Sequence, residues 1–110
     1  MRRWMELPAA IRPTAIVAAN DVVALGVLAA VRARGGSIPG DFSLIGFDND
    51  PGALLAGLTT VERPTETLGE AVARVTLERL AAGPEADTVT MRLRPVLIER
   101  TTVGPPARDS

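Results

Sequence analysis

The sequence predicts an α/β fold, a largely parallel sheet flanked by helices, and three observations carry the prediction. Short apolar runs rich in β-branched residues lack polar alternation, as strands covered on both faces do. Longer segments of helical character alternate with these runs along the chain. Cap and breaker residues stand at the ends of those segments.

Residues 1–12 read as a lead-in, either a short helix or irregular, closed by Pro13. Thr14-Ala-Ile-Val-Ala-Ala19 is the first buried strand. Asn20 and Asp21 follow at once, and both residue types cap helix N-termini. The predicted helix runs from Asp21 to about Arg34 and stops at Gly35-Gly36. Val22, Val23, Leu25, Val27, Leu28, Ala29, Ala30 and Val31 surround its axis, so one side should meet the sheet and another a second helix or subunit. Ser43-Leu-Ile-Gly-Phe47 is a second buried strand, ending in the turn signal Asp48-Asn49-Asp50-Pro51-Gly52. Residues 53–57 leave room for one helical turn, and Leu58-Thr-Thr-Val61 is a short third strand. Pro64 suits a helix start, with that helix reaching about Ala82 before Gly83-Pro84. Its apolar face holds Leu68, Ala71, Val72 and Val75; Glu70 and Arg74 are spaced to pair on the wet side. Strand-like runs at about 88–93 and 95–102 precede a Gly-Pro-Pro tail.

Composition bounds the function. The chain has 110 residues, room for one small domain, and 46% of them are hydrophobic. Aromatics are scarce, so Val, Leu, Ile and Ala must build the core. Net charge is −1, with both signs interspersed, and no basic stripe is available to meet a phosphate backbone. Without cysteine there is no disulfide framework or thiolate chemistry; without histidine the commonest zinc ligand and general base are missing. No apolar run has signal-peptide or membrane-span length. A cytoplasmic protein with no cofactor, metal or membrane partner is expected.

Ligands of open α/β sheets bind beyond the carboxyl ends of strands. Asn20-Asp21 lies there after the first strand and Asp48-Asn49-Asp50 after the second. Asn both donates and accepts while Asp accepts twice, so the two together could hold the hydroxyls of a polyol. The competing reading is that Asn20 only caps a helix and Asp48 only starts a turn. No phosphate loop, EF-hand spacing or nucleophile elbow is present.

The same runs resemble the sensor domain of the lactose-repressor (LacI/GalR) family of transcription regulators. The resemblance rests on Arg12-Pro-Thr-Ala-Ile-Val-Ala-Ala-Asn-Asp21 with Ala24-Leu-Gly26, and on Ile38-Pro-Gly-Asp-Phe-Ser-Leu-Ile-Gly-Phe-Asp-Asn49. Leu58-Thr-Thr-Val61, Leu68-Gly69 and Leu97-Ile-Glu-Arg-Thr-Thr102 continue it in the same order. It implies a type I periplasmic-binding-protein-like fold, present in part, with residues 13–103 as the C-terminal portion of the sensor and 104–110 as a flexible tail. In that family two lobes close over a small ligand, often a sugar or nucleoside-type molecule, and the chain crosses between lobes near the positions of Thr60 to Pro64.

The resemblance further implies effector contacts from Asn20 and Asp48, with Arg63 at a position that usually carries Gln. It implies a homodimer interface formed by Val22, Leu25 and Ala29 with Leu54 and Leu55, Leu25 facing solvent in one chain. The stretch from Pro51 to Leu58 is short and lacks the family's usual Pro-Pro. The family's helix-turn-helix, hinge and first half of the sensor have no counterpart in these residues, so operator DNA would be reached only through such a headpiece. The expected function is therefore effector sensing and dimerisation, without enzymatic activity. A fragment of a sugar-transport solute-binding protein is the competing expectation.

Overall fold

A computed structural model describes residues 2–107. They form two compact units, one running to Glu62 and resuming at Leu97, the other Arg63–Val96.

The first unit opens with helix α1 (Arg2–Met5) and a 3-10 turn at Ala9–Ile11. Strand β1 (Ala15–Val17) pairs in parallel with β2 (Ser43–Ile45), matching Ala15 to Ser43, Ile16 to Leu44 and Val17 to Ile45. Between them lies helix α2 (Asp21–Ala33), the crossover a parallel pair requires. A parallel bridge from Ile45 to Thr59 continues the sheet toward β3 (Thr60–Glu62), and β3 pairs with β4 (Val96–Ile98). Asn20 caps α2: its Oδ1 accepts from the Val23 N–H at 2.9 Å. At the far end Gly35 takes a positive φ of 75°.

Helix α3 (Pro51–Ala56) starts on a proline, which has no N–H to leave unpaired. It ends at Gly57 in the left-handed region, with Leu58 N–H donating to Ala53 and Gly57 N–H to Leu54. Ala18, Ala24, Leu28, Leu44, Ala53 and Leu58 form the buried core of this unit. Burying a leucine such as Leu44 or Leu58 contributes about 1.5–3 kcal/mol.

The C-terminal segment is stitched to the same sheet by threonines. Thr102 Oγ1 donates to the Leu44 carbonyl at 2.7 Å and accepts the Thr59 N–H at 2.9 Å. Gly104 exchanges two hydrogen bonds with the Ser43 hydroxyl, so the segment expected to be a tail from 104 is tied down at its first residue. Residues 108–110 of that tail, and Met1 of the lead-in, lie outside the described residues.

In the second unit, helix α4 (Thr65–Ala82) carries the expected apolar face. The run at 88–93 is not a strand, because no other strand backbone pairs with it. Its alternating Val89, Met91 and Leu93 instead line a groove of about 280 Å³ with Leu68, Ala71, Val72 and Val75 of α4. Arg74 reaches toward Glu78, 3.5 Å away, where a pair with Glu70 was expected. Both spacings are helical neighbours, so local sequence does not choose between them.

Candidate functional site

Two loops leave the carboxyl ends of β1 and β2 side by side. Ala18 N–H donates to Ile45 at 2.8 Å and Asp21 N–H to Phe47 at 2.9 Å, carrying the register past the last strand residues. Asn20 stands on one loop and Asp48 on the other, and both are half-buried. The capping bond uses Asn20 Oδ1; the NH2 group of the same amide is not part of it.

The second loop has an unusual backbone. Asp48 has φ 115° and Asn49 φ 59°. Asparagine visits the left-handed region readily, whereas aspartate at 115° is outside the common regions. Such conformations cost on the order of 1–3 kcal/mol and persist only where neighbours enforce them. Those neighbours are present. Asp48 N–H donates to Val61 at 2.9 Å, and the Asn49 side chain accepts from Arg100 Nη2 at 2.8 Å. Asp50 N–H donates to Asp21 Oδ2 at 2.7 Å. Arg100 is held in turn by the Leu58 carbonyl at 3.0 Å.

Asp21 is the buried centre of this arrangement. It is fully inaccessible, and Oδ1 accepts the Thr60 hydroxyl at 2.6 Å. Gly46 passes so close that a Cβ there would collide with Asp21 Oδ1. Sequence reasoning placed Asn20 and the Asp48-Asn49-Asp50 cluster at the strand edge but missed Thr60 and Arg100. The one local signal was the doubled threonine at 59 and 60, an odd pair for a buried strand.

Arg63 is exposed and opens the second unit, whereas Asn20 and Asp48 belong to the first. Its carbonyl accepts the Thr65 N–H at 2.8 Å. Among the described residues, no group of three or more His, Cys, Asp or Glu side chains gathers as metal ligands would. No helix there is long and apolar enough to cross a membrane.

On α2 and α3, Val22 (69% exposed), Leu54 (67%) and Leu55 (88%) face solvent, as does Ala29. Leu25 departs from expectation. It is half-buried against the core, its Cδ1 3.0 Å from where a Cβ on Gly52 would sit. The small residue on α3 leaves room for α2 to approach, and Leu25 fills that space. The helix is thus apolar all round in sequence but buries one stripe, Asp21, Ala24, Leu28 and Val31.

Comparison with known proteins gives a consistent picture. A family described as a periplasmic binding protein-like domain matches residues 1–103. An HTH-type transcriptional repressor PurR from Erwinia tasmaniensis is 39% identical over 101 residues, covering 89% of this chain and 29% of the relative. A second, from Mannheimia succiniciproducens, is 37% identical over 94 residues, covering 84% and 28%. The chain therefore spans under a third of the length of these curated relatives. Among solved structures, a LacI transcriptional regulator from a Rhodococcus species superposes with TM-score 0.82 at 31% identity, covering 97% of this chain and 39% of that one. A LacI family regulator from Lactobacillus casei with bound sucrose gives 0.73 at 29% identity, covering 93% and 38%.

Proposed function

This chain belongs to the periplasmic binding protein-like domain family, as a partial domain of the LacI-regulator kind, and we propose that it serves as the effector-sensing and dimerising part of a transcription regulator. The observation that carries the reading is that Asn20 and Asp48 stand on the two loops that follow the carboxyl ends of adjacent parallel strands. There the Asn20 amide donates and the Asp48 carboxylate accepts, a complement to vicinal hydroxyls. The effector is a small polar molecule, sugar-like in its hydroxyl pattern. The Lactobacillus casei relative with bound sucrose supports that choice.

Val22, Ala29, Leu54 and Leu55, with Leu25 at the edge, form the homodimer surface, since large exposed apolar side chains on two packed helices are suited to an isologous contact. The protein acts in the cytoplasm as a binding module and not an enzyme, and operator DNA is contacted through a separate headpiece. The named relatives are repressors, which favours this reading over sugar transport.

Isothermal titration of the chain with sucrose, glucose and a nucleoside tests the effector site. Asp48→Ala should weaken binding of the recognised compound by about 1.5–3 kcal/mol, roughly tenfold to a hundredfold in Kd. Unchanged affinity in that variant would overturn the assignment.

A further inference from the structure

We infer that Asp21 is a positioning residue for the effector loop, its buried carboxylate holding residues 48–50 in the conformation that presents Asp48. The inference rests on the effector reading above for the loop's purpose, while the geometry of the loop stands apart from it.

Four observations converge. The carboxylate is fully buried, where a charged group is retained only if well paired. Both oxygens are used, and for different elements: Oδ2 by the Asp50 N–H of the loop, Oδ1 by the Thr60 hydroxyl of β3. Thr60 Oγ1 also accepts the Asn49 N–H at 3.4 Å, so the carboxylate reaches two consecutive loop amides, one directly and one through threonine. The loop it holds contains Asp48 and Asn49, the positive-φ residues outside glycine among the described residues, a conformation that must be enforced from outside.

Asp21 also adjoins Asn20 in the chain. One residue pair therefore supplies a capping amide at the strand edge and the anchor beneath the opposing loop. A plain capping role does not account for this, because the cap of α2 is Asn20. Nor does packing alone, since an apolar side chain would leave the Asp50 N–H and Thr60 hydroxyl without their acceptor.

The test follows amide hydrogen exchange by NMR in the 110-residue chain. Asp21→Asn replaces one acceptor oxygen by a donor, and the Asn49 and Asp50 amides should exchange about tenfold faster, the value of one lost hydrogen bond. The amides of Leu28 and Leu44 should keep their parental rates. Thr60→Val should speed the Asn49 amide, and Thr60→Ser, which restores the hydroxyl, should return it to the parental rate. The threonine pair decides the matter should the Asp21 variant fail to fold. Loop rates unchanged in Asp21→Asn and Thr60→Val overturn the inference; so does an increase spread evenly over the chain, which marks general destabilisation. Sucrose titration adds a second reading, with about tenfold weaker binding expected in Asp21→Asn. A parent chain that ignores sucrose counts against the sugar effector, and the exchange rates still decide the positioning role.

Discussion

Substituting Gly46 by alanine tests a close approach between strand-end backbone and the buried Asp21 carboxylate. An ideal Cβ there would overlap Asp21 Oδ1 and lie 3.0 Å from Leu58 Cδ2 and 3.3 Å from the Asp21 Cα. The Asp21 Cα is backbone at the first turn of α2, so it cannot swing aside as a side-chain tip can. Overpacking of this kind costs about 1–3 kcal/mol. Displacing the carboxylate would also lose a hydrogen bond to a charged group, about 1.5–3 kcal/mol. A total of about 2.5–6 kcal/mol is expected. Unfolding entropy of about 2.1 cal/mol/K per residue comes to roughly 0.23 kcal/mol per degree for this chain, so Tm should fall by about 11–26 °C. Gly26→Ala is the matched control: it lies within α2 with nothing within 4 Å of the added methyl. That change should raise Tm by about 2–4 °C through helix propensity, about 0.5–1 kcal/mol. Thermal unfolding followed by circular dichroism reads both. Gly46→Ala melting within about 2 °C of the parent would refute the steric argument, and a fall in Gly26→Ala would refute the assignment of that site as open helix.

Three further outcomes are expected. Thr102→Val keeps the side chain's shape but strands the buried Leu44 carbonyl and Thr59 N–H; urea unfolding should report a loss of about 2–5 kcal/mol, and a loss under about 1 would show that these groups find other partners. Asn20→Ala should cost about 0.5–2 kcal/mol of stability as a lost cap, whereas Asn20→Asp should keep the cap while removing the amide donor, so effector titration of the aspartate variant separates the two roles. Leu55→Glu, at the most exposed large apolar side chain of α3, should shift sedimentation toward monomer with little change in Tm; a dimer as tight as the parent's would exclude this face as the interface.

Much of the strand-edge site was legible because strand ends, caps and turns leave local marks. Asn20 beside Asp21 after an apolar run announces a strand passing into a helix, and Asp48-Asn49-Asp50-Pro51 announces a turn. What those marks do not carry is which polar group faces inward. Asp21 and Asp50 both sit at helix starts, yet Asp21 is fully buried while the Asp50 side chain makes no capping bond. Leu25 was misjudged for a related reason. Its helix is apolar all round, so periodicity could not single out the buried stripe, and Gly52, 27 positions later, decided it.

Sequence alone therefore determined the alternation of strands and helices in the first unit, the bounds of the two long helices and the placing of Asn20 and Asp48 after the strands of one sheet edge. Those properties depend on φ/ψ preference, capping and apolar period, all set by neighbours within a few residues. Only the tertiary structure decided that Asp21 anchors the 48–50 loop, that Arg100 holds Asn49, and that Thr102 joins β2 to the strand beside it. It also decided that the alternating run at 88–93 lies along α4 and not in a sheet. A period of two reports an extended chain with two faces, whatever lies alongside. Hydrogen-bond partners 29, 51 and 58 residues apart meet only when the sheet has formed, because burial of the shared apolar core is what brings them within reach.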